Sequence, residues 1–136
     1  MNDCLIAPSV MCLSAWQDCE RTMDELMAGG IDLLHADVMD GEFVPNLMLG
    51  TDSIRNLRKI SAVPLDIHLM IQRPEDKLDW FDIQPNEFVS VHIESTRHLQ
   101  RALTKIRDCG AHPMAALNLS LIHILLLIID QIGVKS

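Results

Sequence analysis

The chain has 136 residues, 49% apolar and 22% charged, which excludes a disordered tract and fits about one folded domain. Eleven Lys and Arg stand against 19 Asp and Glu, a formal charge of −8; this speaks against a nucleic-acid or anionic-membrane surface and confines any phosphate binding to a local site. The opening MNDCLIAPSV has no basic stretch followed by an apolar one, so the expected compartment is cytoplasmic. Cysteines at 4, 12, 19 and 109 form no C-x-x-C pair and read as small buried hydrophobes in a reducing compartment.

In chain order, Leu5 to Ser9 is a short apolar run expected as the first strand, and Ser14 with Gln17 three residues on is a capping-box pattern that opens a helix. Ala15, Trp16, Cys19, Met23, Leu26 and Met27 recur at helical spacing, and Gly29-Gly30 supplies the stop. Ile31 to Met39 is the second expected strand, and Gly41 to Gly50, with Pro45-Asn46 inside, is a structured loop. A short helix follows with Ile54, Leu57 and Ile60 inward. Val63 to Met70 is the third strand. Pro74 starts a helix with Glu75 and Asp76 in its first turn and Leu78, Trp80 and Phe81 as its apolar residues. Phe88 to Ile93 is a strand, Thr96 to Cys109 a helix with Leu99, Ala102, Leu103 and Ile106 on one face, and Met114 to Asn118 the fifth strand. This cadence is that of successive β-α-β units with a parallel sheet. Residues 119–136 change character: ten Leu or Ile fall in the 14 positions from 119 to 132. That run is too short for a spanning helix, which needs about 20 apolar residues, and reads as a buried or self-associating segment.

The chemistry concentrates on two strands. His35, Asp37 and Met39 share one face of the second by period-two geometry, and Asp66, His68 and Met70 share one face of the third. Two imidazoles and a carboxylate from adjacent parallel strands suit a divalent metal. The competing reading is a pair of core histidines bonded to backbone. It weakens because Asp37 and Asp66 would sit inside apolar strands without a cationic partner. A non-haem iron facial triad uses the same H-x-D and remote His, but the alternating helices and strands disfavour it.

The stretches A-P-S at 7–9, H-A-D-V-M-D-G-E-F-V-P-N at 35–46, D-I-H-L-M at 66–70, R-P-E at 73–75 and A-L-N at 116–118 resemble the ribulose-phosphate 3-epimerase family, which acts on pentulose 5-phosphates and includes the similar allulose 6-phosphate enzymes. The likeness implies an α/β chain of the TIM (β/α)8-barrel type, here its N-terminal part with about five strands and four helices over residues 1–118, and residues 119–136 as an apolar tail outside the family pattern. It implies His35, Asp37 and His68 as metal ligands, Asp37 also as one acid/base, and Ser9, His68, Met39 and Met70 as substrate contacts. Zinc is the first choice of metal, with iron, manganese or cobalt as others. His92 reads as a packing or supporting residue, while His98, His112 and His123 belong to no motif. The implied partner is a small phosphorylated ketose, with no nucleic acid or membrane and with homo-oligomerisation left open. A phosphate-binding decarboxylase of similar barrel is disfavoured, since the second-strand motif holds no Lys. The family's second catalytic Asp and phosphate loops would come from strands beyond Asn118, so a truncated or misjoined frame is expected. The alternative function is an incompetent fragment that at most binds metal or self-associates.

Overall fold

The computed structural model describes residues 4–12 and 19–121. The expected capping box at Ser14 to Gln17 and the apolar run beyond Leu121 lie outside the described residues.

Three strands alternate buried and half-buried residues, with His92 at the end of the last one buried as well, and the alternation decides what packs where. Strand β1 (Leu34–Asp40) buries Leu34, Ala36 and Val38; β3 (Leu65–Met70) buries Leu65, Ile67 and Leu69; β4 (Phe88–His92) buries Val89 and Val91. All eight side chains meet the inward faces of helices α1 (Cys19–Ala28), α2 (Thr51–Ile60) and α4 (Leu99–Asp108), through Met23, Ile54, Leu57, Ala102 and Ile106. Burying each large aliphatic chain contributes about 1.5–3 kcal/mol. The opposite sheet face keeps the polar and sulfur-bearing residues of β1 and β3, which are only half-buried.

The sheet order is β2-β1-β3-β4-β5, with β2 at Leu47–Met48 and β5 at His112–Ala116; β1, β3, β4 and β5 run parallel, as the β-α-β cadence requires. Between β3 and β4, Pro74 opens α3 (Pro74–Lys77) as expected, and the chain continues as a tighter turn over Leu78–Phe81. Arg58 on α2 reaches Glu87, which is almost wholly buried before β4, at 2.7 and 3.0 Å and the Phe81 carbonyl at 2.9 Å; the Gln84 N–H completes the carboxylate's bonding.

Four details differ from the sequence reading. The expected first strand at Leu5 to Ser9 runs beside β1 without forming a ladder: it is joined by a Ser9–His35 bridge, by bonds to the Ile6 and Pro8 carbonyls and by the Ile6 N–H donating to Asp32 Oδ2 at 2.7 Å, and Pro8 has no N–H to offer. The sheet has in its place an unexpected edge strand, the pair Leu47–Met48 (β2), which folds back antiparallel on Met39 and Asp40 from within the expected loop. Trp80 is 60% exposed, since the tight turn points Leu78 and Phe81 inward and turns it out. Cys4 and Cys109 are free and exposed rather than buried, Cys109 because it caps the end of α4. Among the described residues, no helix is long and apolar enough to cross a membrane.

Candidate metal centre

The parallel register of β1 and β3 sets H-x-D against D-x-H. His35 lies opposite Asp66, Asp37 opposite His68, and Met39 opposite Met70. Each imidazole therefore faces a carboxylate across the ladder. His35 Nδ1 donates to Asp66 Oδ2 at 2.7 Å, and its Nε2 lies 3.1 Å from Asp37 Oδ1. His68 Nδ1 lies 2.9 Å from the same Asp37 oxygen. One nitrogen of each histidine thus converges on a single carboxylate oxygen, and ligand atoms of His35, Asp37 and His68 all fall within 4.8 Å of one another.

Burial alone would push the His35 imidazole down, but the bond to Asp66 and the Asp66 and Asp37 charges outweigh it and pull it up. The His35 ring nitrogens, one facing each carboxylate, answer the concern that Asp37 and Asp66 would be buried unpaired. The outer nitrogen of His68, Nε2, meets His92 Nε2 at 2.8 Å, and the two rings stack with centroids 4.9 Å apart. His92 is 7% exposed; burial first, then the neighbouring His68, push its imidazole down from the ordinary value.

Asp40, the last residue of β1, organises the loop over this centre. One of its oxygens accepts the Glu42 and Phe43 N–H groups at 2.9 Å; the other accepts the Gln72 N–H at 2.8 Å and the Lys77 ammonium at 2.9 Å. Burial would raise its carboxyl, yet the Phe43 N–H, the Lys77 ammonium and the other two donors hold it far below the usual carboxylate range. The loop so tied places the Phe43 ring 5.0 Å from His92.

The structure brings His35, Asp37 and His68 together and sets Met39 and Met70 on the adjoining rung of the same face. Ser9 pairs with His35 through its backbone, while its hydroxyl accepts the Met11 N–H. His92 lies beside the centre, its Nε2 2.8 Å from His68 Nε2. His112 lies elsewhere, stacked on Phe88, and His123 lies outside the described residues. Sequence reasoning gave no role to Asp40 or Glu94. For Asp40 a signal existed: an acidic residue ending a strand just before Gly41 is a natural loop cap. The pairing of Glu94 with His92 at 3.5 Å and with the Asn118 N–H at 2.7 Å is a three-dimensional fact without a local signature.

Comparison with known proteins agrees with the motif. A family model described as the ribulose-phosphate 3 epimerase family matches residues 5–134, a span that takes in most of the segment that composition set apart. A ribulose-phosphate 3-epimerase of Aquifex aeolicus is 38% identical over 114 residues, covering 84% of this chain and 51% of the relative. One from Synechocystis is 40% identical over 119 residues, covering 84% and 50%. A chloroplastic ribulose-5-phosphate-3-epimerase of Arabidopsis thaliana is 36% identical over 141 aligned residues, covering 99% and 50%. The chain spans about half the length of these curated relatives.

Proposed function

The chain belongs to the ribulose-phosphate 3-epimerase family, and from that premise we propose that it carries the metal-binding half of a site for 3-epimerisation of a ketose phosphate: ribulose 5-phosphate to xylulose 5-phosphate, or the allulose and fructose 6-phosphate pair. The observation that carries the reading is the convergence of His35, Asp37 and His68 on one face of adjacent parallel strands, the face that would line a closed barrel of the family type.

The donor set fits a divalent cation: two imidazole nitrogens and one carboxylate oxygen, with zinc as the first expectation. His35, Asp37 and His68 would hold it. When bound, the cation supplies Lewis-acid stabilisation of the charge that develops on the substrate's oxygens as the C3 proton leaves. The remaining roles belong to side chains. Asp37 takes the C3 proton on its face of the sugar, as a general base beside the reacting carbon. Asp66 keeps the His35 ring oriented by holding Nδ1–H, so that Nε2 is the nitrogen presented to the site. Met39 and Met70 form an apolar wall that shields the carbanionic intermediate from water, and Ser9 binds substrate at the neighbouring strand end. The reading places the protein in the cytoplasm, with a small sugar phosphate as its partner.

The test is exchange of the C3 proton of ribulose 5-phosphate with deuterated solvent, which needs one acid/base and no opposite-face partner. Zinc-dependent exchange that disappears in Asp37→Asn is the expected result. Exchange that survives the substitution would refute the role of Asp37. Zinc binding without exchange would favour the second reading, a chain that binds metal without turnover.

A further inference from the structure

We propose that two copies of this chain close on each other edge to edge, Leu5–Ser9 of each copy pairing in parallel with His112–Ala116 of the other, so that the two open sheets share one interior. The proposal rests on the sheet's outer edges and not on the metal reading. Exposed large apolar side chains mark both edges: Leu5, Ile6 and Met11 along the first segment, Leu47 on β2 at the same edge, and Leu117 and Leu119 just past β5, with Trp80 alone among the described residues lying elsewhere. The chain exposes 8765 Å², where roughly 7,100 Å² is usual for a folded monomer of 15.3 kDa. That surplus, about 1,600 Å², exceeds the roughly 800 Å² per partner of a standard interface and is in the range of an obligate one.

The backbone groups of the two edges are complementary. The His112 N–H donates to the Glu87 carbonyl at 2.8 Å, so strand alternation turns the N–H and C=O groups of residues 112, 114 and 116 toward β4 and those of Pro113, Ala115 and Leu117 outward. On the other edge the Ile6 and Pro8 carbonyls accept bonds from Asp32, Leu33 and His35, which leaves Leu5, Ala7 and Ser9 turned outward. Set in parallel with Leu5 level with His112, the two runs interleave. Ala7 N–H donates to the Pro113 carbonyl, Ala115 N–H to the Ala7 carbonyl, Ser9 N–H to the Ala115 carbonyl and Leu117 N–H to the Ser9 carbonyl. Pro8 costs this ladder nothing, because its missing N–H belongs to the inward side, and Pro113 removes a single outward donor. The same alignment brings Met11 level with Asn118, between Leu117 and Leu119. A two-fold axis down the shared interior makes both junctions at once and leaves no open edge. The half-buried faces of β1 and β3 then line the enclosed space.

Light scattering on the full chain at micromolar concentration should give twice the 15.3 kDa of one copy, and hydrogen exchange should find the Ala7, Ser9, Ala115 and Leu117 amides protected. Met11 and Leu117 are 53% and 41% exposed, so Met11→Lys and Leu117→Glu leave the chain's own core untouched. Either substitution alone spoils both junctions, since each junction holds one Met11 and one Leu117, and each variant should be monomeric. Mixed in equal amounts, the two variants should return to twice the single mass, because one junction is then unsubstituted and the other sets Lys against Glu. A monomeric unsubstituted chain would overturn the proposal, whether residues 122–136 of the same chain cover β5 or nothing does. So would a mass that climbs past two copies with concentration, which is an open row instead of a closed pair, variants that stay dimeric, or a mixture that stays monomeric. None of these measurements involves a cation, so each outcome leaves the metal reading standing. Should a variant fail to fold, the mass and the amide exchange of the unsubstituted chain decide.

Discussion

Replacing Asp40 by Asn tests whether one carboxylate holds the loop over the metal centre. Its two oxygens accept four bonds: two from loop N–H groups, one from the Gln72 N–H and one from Lys77. An amide keeps only one oxygen, so at least two donors lose their acceptor and the ammonium loses its opposite charge. At about 1 kcal/mol per neutral bond, somewhat more for the charged one, and with water able to reach a side chain 17% exposed, the loss is about 2–3 kcal/mol. The sign with pH follows from the depressed carboxyl. The stabilisation is fully present above the unfolded value of 3.8 and is lost as the pH falls below it toward the folded value. Urea unfolding of both chains at pH 7 should show the full gap, narrowing by about 1.4 kcal/mol per pH unit below that value. Other carboxylates contribute alike to both chains and cancel. A gap under about 0.5 kcal/mol at pH 7, which is within ordinary surface-substitution scatter, or one that does not narrow between pH 4 and 3, would refute the argument.

Arg58→Ala should cost about 3–5 kcal/mol in urea unfolding, because it strands the buried Glu87 charge, whereas the double replacement Arg58→Met with Glu87→Leu should recover much of that. Asp66→Asn should lower zinc affinity about tenfold while the unfolding midpoint moves little; a twofold or smaller change would show that the carboxylate does not orient His35. Gly41 has φ +74°, and an added Cβ there would stand 3.2 Å from Leu47 Cδ2. Gly41→Ala should therefore cost about 1–2 kcal/mol in thermal or urea unfolding.

Much of the centre was legible because period-two alternation is a local property. H-A-D and D-I-H declare which side chains share a face without knowledge of the sheet, and the Pro74 helix start and the α4 apolar face were equally local. What escaped depended on contacts far apart in sequence or on backbone chemistry. Leu5 to Ser9 has strand-like composition, yet Pro8 removes a donor that a ladder needs. Leu47 and Met48 are too short a run to declare a strand until Asp40 has folded the loop back onto β1. The link from Glu94 to His92 and Asn118 joins the ends of two strands, and only the three-dimensional arrangement brings those ends together.

The reciprocal pattern on β1 and β3 also bears on how the two strands find each other. A slip of one residue would turn the apolar set to the wrong face, and hydrophobic burial rejects it. A slip of two keeps every Leu, Ile, Val and Ala on the buried side, so burial cannot detect it. The polar face can. Moving the ladder two residues one way would set His35 against His68 and Asp37 against Met70; the other way would set Asp37 against Asp66 and Met39 against His68. Either slip trades pairs of opposite character for like against like or for charge against thioether, which is unfavourable across a ladder. The residues gathered for chemistry thus also proofread strand alignment, so substitutions at His35 or Asp66 that remove charge should broaden the set of registers sampled during folding.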